Sequence, residues 1–141
     1  MKRAKRILVG LKTLEQAANL AELACCVAAR GATLHLVHII ELPDPTPLDA
    51  VVPDLEALAK KVLNAAERVA KRNRMKVQRL IIRAHSAGGA ALDELKDKKI
   101  ELAILGYHHK ETLRERIFGT TAQHLAQHAP CDVLLSIPKK S

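Results

Sequence analysis

Five short apolar runs limit what this chain can fold into. They are ILVGL within Arg6 to Leu11, ATLHLVHII from Ala32 to Ile40, the trio Leu80, Ile81 and Ile82 inside KVQRLIIRA (Lys76 to Ala84), ELAILG from Glu101 to Gly106, and CDVLLSI from Cys131 to Ile137. Each is too short for a helix that must bury a face. Their apolar residues stand side by side rather than at alternate positions, which fits strands covered on both sides. The stretches between them are longer and carry apolar residues at helical spacing. Strands that alternate with helices pair in parallel through right-handed crossovers, so the expected architecture is an α/β fold with helices on both faces of the sheet. A chain of 141 residues has room for one such domain, 1–141.

The segments between the runs carry their own punctuation. Thr13 stands where a helix would be capped, with Gln16 three residues on as the reciprocal member of a capping box. Leu20, Leu23, Ala24 and Val27 continue that helix, and Gly31 suits the left-handed turn that ends one. Pro43, Pro45, Pro47 and Pro53 mark an extended loop, after which a helix runs from Pro53 to Arg74. Ser86 opens a third helix after a turn of small residues, through Leu92 and Leu95 to about Lys98. A polar loop from Tyr107 to Phe118 leads to Gly119 and a last helix, which reaches His128 before Pro130.

Composition excludes several functions. Hydrophobic residues make up 48% but aromatics 1%, Tyr107 and Phe118 alone, so the core is aliphatic and platforms for stacking bases or sugars are nearly missing. No apolar run approaches the ~18 residues of a membrane span, and the N-terminal MKRAKR passes into a strand rather than a signal core. A soluble, cytoplasmic protein is expected. Cys25, Cys26 and Cys131 have neither CxxC spacing nor the pattern of a secreted scaffold, and read as ordinary reduced thiols.

The formal net charge of +8 is concentrated. Between Lys60 and Arg83 stand nine basic residues against the single acid Glu67, and the rest of the chain is balanced. At ~100° per residue Lys60, Lys61, Arg68, Lys71 and Arg72 share one arc of the helix, opposite Leu55, Leu58, Val62, Ala66 and Val69. Such a face is either simply solvated or meets an anionic partner, of which an acidic protein is one class. Without aromatics it offers a nucleic acid only weak, non-specific attraction to phosphate, so no specific nucleic-acid partner is expected.

Catalytic and metal motifs are scarce. His124 and His128 have the spacing of a zinc pair, but Leu125 occupies the place of the HExxH general base and no third ligand is evident; His108 and His109 read as loop residues. Gly10-Leu11-Lys12-Thr13 has the Lys-Thr of a P-loop without its first glycine or its length. Ser86-Ala87-Gly88-Gly89 is a turn before a helix.

In open parallel sheets ligands collect where strands end near the reversal of strand order. That directs attention to Gly10 through Thr13 and to Gly106 through Thr121. Gly119, Thr120 and Thr121 open a helix, whose unpaired N–H groups and dipole favour an anion.

These residues carry a resemblance. ILVGLKT, LHLVHIIE, ELAILGYHH and FGTTAQHLAQHAPCDVLLSIP follow in the order of the universal stress protein family, and Gly106, position 109 and Gly119-Thr120 fall at the spacings of its Gly-x2-Gly-x9-Gly-[Ser/Thr] signature. The resemblance implies a five-stranded sheet in the order 3-2-1-4-5 and a homodimer through the last strand, Cys131 to Ile137. It implies ATP or a related adenine nucleotide as cofactor in some members and no nucleotide in others. By position, Leu11 and Lys12 would lie near the base and its ribose and Ile39 beside the adenine. Gly106 and His109 would lie under the ribose and phosphates, with Gly119, Thr120 and Thr121 around the phosphates.

Three positions depart from the pattern: Lys12 replaces an acid, His109 a glycine, and Ala122 a hydroxyl. An ammonium donates hydrogen bonds where a carboxylate accepts them, and a side chain at 109 fills space that a glycine leaves to a ligand. Lys12, His109, Lys110, Arg114 and Arg116 nonetheless form a cationic group that suits a polyphosphate. The expected function is a non-catalytic stress-response protein with a partly degenerate adenine-nucleotide site. The alternatives are a dimeric interaction module acting through the basic helix, and a slow ATP hydrolase.

Overall fold

The computed structural model of the chain describes residues 3–106 and 120–137. In chain order the elements are β1 (Ala4–Gly10), α1 (Leu14–Val27), β2 (Ala28–Glu41), α2 (Pro53–Arg72), β3 (Lys76–Ala84), α3 (Ala87–Asp97), β4 (Leu102–Gly106), α4 (Thr120–His128) and β5 (Asp132–Ser136). The strands form one sheet in the order β3-β2-β1-β4-β5, and every pairing is parallel.

The consecutive apolar residues of the strands serve both faces of this sheet. Ile7, Val9, Leu34, Leu36, Leu102 and Ile104 meet Ala17, Leu20, Ala24, Val62, Leu63 and Ala66 from α1 and α2. Their neighbours Leu8, Val37, Ala103 and Leu105 turn the other way, onto Ala91 and Leu95 of α3 and Leu125 of α4. All of these side chains are aliphatic, as the composition requires. At the amino ends of the strands, Glu101 Oε1 accepts the N–H groups of Lys5 (2.9 Å) and Arg6 (3.1 Å). These bonds hold its carboxyl below the usual carboxylate range.

Several local expectations are corrected. α1 ends at Val27, not at Gly31, and β2 begins at Ala28 rather than Ala32. Gly31 does adopt the left-handed conformation (φ 75°), but inside β2, where the pairing with β1 jumps from Ala4–Ala28 to Arg6–Thr33. The glycine accommodates a bulge instead of a helix end. Thr13 takes the N-cap position with extended backbone but makes no side-chain capping bond, so the capping box with Gln16 does not form. Gln16 instead directs its Oε1 toward Gly106 of β4. Ser86 behaves as expected, its Oγ accepting the Gly89 N–H at 3.3 Å.

Helix α2 buries Ala59, Val62, Leu63, Ala66, Val69 and Ala70. The buried arc is therefore rotated from the one read in the sequence: Leu58 is exposed and Leu55 is half-buried. α2 and α3 end alike. Arg74 (φ 59°) and Lys99 (φ 52°) adopt the left-handed conformation, and the next N–H reaches back over the final turn, Met75 to Ala70 O and Ile100 to Leu95 O, both at 3.0 Å.

Candidate functional site

The strand order reverses at β1, which has β2 on one side and β4 on the other. Gly10 at the end of β1 lies in register with Leu105, one residue from the end of β4. β1 and β4 thus end side by side.

Leu11, the first residue past β1, is 3% exposed. Both of its backbone groups are engaged: its N–H donates to Val37 O and its carbonyl accepts from His38 Nδ1, each at 2.8 Å. It can form a wall of a site; its N–H is used and its carbonyl keeps one lone pair. Lys12 follows, exposed. Ile39 is half-buried on the α3/α4 side of β2, packed with Leu80 and Ile82, and could present alkyl surface to a flat ring.

The glycines here answer to the protein's own packing. A Cβ on Gly10 would lie 2.6 Å from Leu105 Cδ2, and one on Gly106 would collide with Gln16 Oε1 and come within 3.3 Å of Leu20 Cδ1. Gly106 is thus explained by the close approach of α1 to β4. Thr120 and Thr121 are the first residues of α4, with Thr121 half-buried. His109 and Gly119 lie outside the described residues, as do Lys110, Arg114, Arg116 and the pair His108–His109. Ala122 packs into the core on the α3/α4 side.

A groove of about 390 Å³ lies between α4 and β5. It is lined by alanines, Leu125, Cys131, Val133 and Leu135, with Asp132 its one charged residue, so it suits aliphatic groups rather than phosphate. Burial, reinforced by Asp132, raises the Cys131 thiol, and burial followed by Cys26 and Glu22 raises Cys25; both stay protonated at neutral pH. His124 packs on Gly88 of α3, and its ring centre is 4.8 Å from that of His128.

The charges around α2 are sorted by partner. Glu67 holds Lys71 (3.2 Å) and Arg79 (2.8 Å), which lowers its carboxyl, and Glu56 holds Arg83. Among the described residues Lys60, Lys61, Arg68 and Arg72 are exposed and make no ion pair. No helix among the described residues is long and apolar enough to cross a membrane.

Histidines in and just past the strands escaped the sequence reading. His35 and His38 are buried inside β2, at 7% and 5% exposure, and His85 follows β3 with its Nδ1 3.0 Å from Leu42 O. The available signal was a basic ring twice inside an apolar run, in LHLVHII.

Comparison with known proteins agrees with this geometry. Residues 3–136 match the model of the universal stress protein family. A universal stress protein solved in complex with cAMP superposes with a TM-score of 0.68 at 16% identity, covering 97% of this chain and 99% of that one. The universal stress protein from Archaeoglobus fulgidus in complex with dAMP gives 0.65 at 16%, covering 92% and 95%. A family protein from Arabidopsis thaliana with AMP bound gives 0.65 at 11%, covering 96% and 92%. No curated protein sequence matches the chain.

Proposed function

The chain belongs to the universal stress protein family, and from that premise we propose that it is a non-catalytic receptor for an adenine nucleotide, bound across the ends of β1 and β4. The observation that carries this reading is the strand-order reversal at β1, with an exposed Lys12 just past one strand. Three proteins of the same fold solved with AMP, cAMP and dAMP support the adenine class. Thr120 and Thr121, with Gly119, would hold phosphate by helix-start N–H groups and hydroxyls. Gly106 and His109 would lie beneath the ribose, and Ile39 would pack on the base. Leu11 supplies mainly shape, since its N–H is already bonded to Val37 O. Because Lys12 and His109 stand where the family pattern has an acid and a glycine on the adenosine side, phosphate contributes more of the affinity than the base. An ammonium at position 12 cannot ligate a cation as a carboxylate would, which favours a receptor over a hydrolase.

Calorimetry with ATP, adenosine and GTP tests this. ATP binds far more tightly than adenosine and only slightly better than GTP, and Lys12→Glu shrinks the preference for ATP over adenosine. Adenosine binding as well as ATP, or an unchanged preference in the variant, overturns the phosphate-led site. ATP turnover by the purified protein would favour the hydrolase.

The edge of β5 supports homodimer formation. β5 pairs only with β4 among the described residues, and Val133 and Leu135 stand half-buried beside the apolar groove. An apolar edge strand of this kind is a hazard until it is paired. A second reading, docking of an acidic protein on the outer face of α2, rests on Lys60, Lys61, Arg68 and Arg72.

A further inference from the structure

The same arrangement is built twice where β1 and β2 end. Leu11, the first residue past β1, donates its N–H to Val37 O (2.8 Å), and its carbonyl meets Nδ1 of the next residue, His38 (2.8 Å). Leu42, the first residue past β2, donates its N–H to Ala84 O (2.8 Å), and its carbonyl meets Nδ1 of the next residue, His85 (3.0 Å). In each case one residue of the neighbouring strand supplies an oxygen and its successor in sequence supplies a ring. Both leucines are buried, at 3% and 2% exposure. A carbonyl oxygen only accepts, so each ring carries its proton on Nδ1.

We propose that His38 and His85 are positioning residues, paired clamps that fix the peptides leaving β1 and β2, and that the His38 clamp sets the affinity of the site at the ends of β1 and β4. The second half rests on the nucleotide reading above. Residues 11–13 have no regular structure, and Thr13 makes no capping bond of its own. The Leu11 peptide is therefore the anchor from which Lys12 is presented. Asn64 and Glu56 of α2 are bonded elsewhere, and among the described residues no hydrogen bond but that of His38 reaches this carbonyl. Burial lowers the His38 imidazole, against the opposing effect of its bond to Leu11, so the ring is neutral at pH 7. Protonation would add a proton at Nε2 and leave the Nδ1 donor in place, so the clamp is a fixture and not a pH switch.

The test begins with the unaltered protein. Nitrogen-15 spectra of the histidine rings should show His38 and His85 as the Nδ1–H tautomer; the Nε2–H tautomer at His38 overturns the clamp whether or not nucleotide binds. Two substitutions then separate donor from volume. His38→Asn keeps a donor near the position of Nδ1, and His38→Leu keeps bulk without one. His38→Leu should speed exchange of the Leu11 amide roughly tenfold and weaken ATP by about the same factor, the scale of one neutral hydrogen bond. His38→Asn should restore most of both. His85→Leu should speed exchange at Leu42 and leave ATP affinity within about twofold. Equal losses in His38→Asn and His38→Leu would assign the effect to ring packing and sink the proposal. If the unaltered protein binds no nucleotide, the function proposed above fails while the clamp is still decided by tautomer and exchange.

Discussion

Adjacent glycines in the first turn of α3 should respond to alanine with opposite signs. Gly88 and Gly89 both lie in the helix, so both substitutions gain the same helix propensity, about 0.8–1.0 kcal/mol, through the lost freedom of the unfolded chain. Their surroundings differ. A Cβ on Gly89 would meet Ser86 Oγ at 3.6 Å, an ordinary contact. A Cβ on Gly88 would lie 2.9 Å from the Cβ of His124 and 3.0 Å from its Cγ. The His124 Cβ is fixed to the backbone of α4 and cannot swing aside, so α4 must withdraw from α3, at a cost of roughly 1–3 kcal/mol. The net expectation is about 0.5–1 kcal/mol of stabilisation for Gly89→Ala and about 0–2 kcal/mol of destabilisation for Gly88→Ala. For a domain of this size each kcal/mol moves Tm by roughly 3–5 °C. With no Trp and one Tyr, far-UV circular dichroism through urea or thermal unfolding is the assay of choice. Equal stability of the two variants would refute the claim that α3 and α4 touch through Gly88.

Three further outcomes are expected. The His35 imidazole is lowered by burial and then by Lys98 and Arg6, and His38 by burial, so below about pH 6.5 the unfolded chain binds protons that the folded chain resists. Their contribution is complete above that value and declines as pH falls, so urea midpoints that stay level from about pH 7 to about pH 5 would contradict it. Lys99→Gly relieves a left-handed non-glycine residue and should stabilise by about 0.5–1 kcal/mol in the same assay; a loss of stability would count against that conformation. Leu135→Lys should convert a β5-paired dimer to monomer in light scattering, and a monomer at micromolar concentration before any substitution removes the basis for that interface.

Element order was legible because each strand announces itself as a short apolar run bounded by charge or glycine. The boundaries were less so. Gly31 has the conformational property the sequence suggested, a positive φ, but only tertiary pairing decides whether that property ends a helix or forms a bulge in β2. Leu58 fits the apolar arc of α2 by angle, yet the helix is rotated so that Ala59 and Leu63 meet the sheet. The candidate site was read from topology as a place, and β1 and β4 do end side by side. Its inner fastening was not. His38 and His85 stand 27 and 43 residues from the carbonyls they hold, a separation that periodicity does not span.

The sheet is unevenly stitched. β2 and β3 are zipped from Thr33–Lys76 to Glu41–Ala84, whereas β1 meets β4 only from Ile7–Leu102 to Gly10–Leu105. The shortest seam therefore runs between the half that holds β1, β2 and β3 and the half that holds β4, α4 and β5. Partial opening follows such seams, so the amides of β4 and β5 should exchange through a cheaper excursion than those of β2. A nucleotide seated across the ends of β1 and β4, as proposed, spans this seam and binds only when it is shut. At a hundredfold excess over Kd it would raise the cost of opening by about 2.7 kcal/mol. Occupancy would then be recorded as a lengthened lifetime of the β4–β5 half, so that ligand concentration would be reported through how long one side of the sheet stays closed.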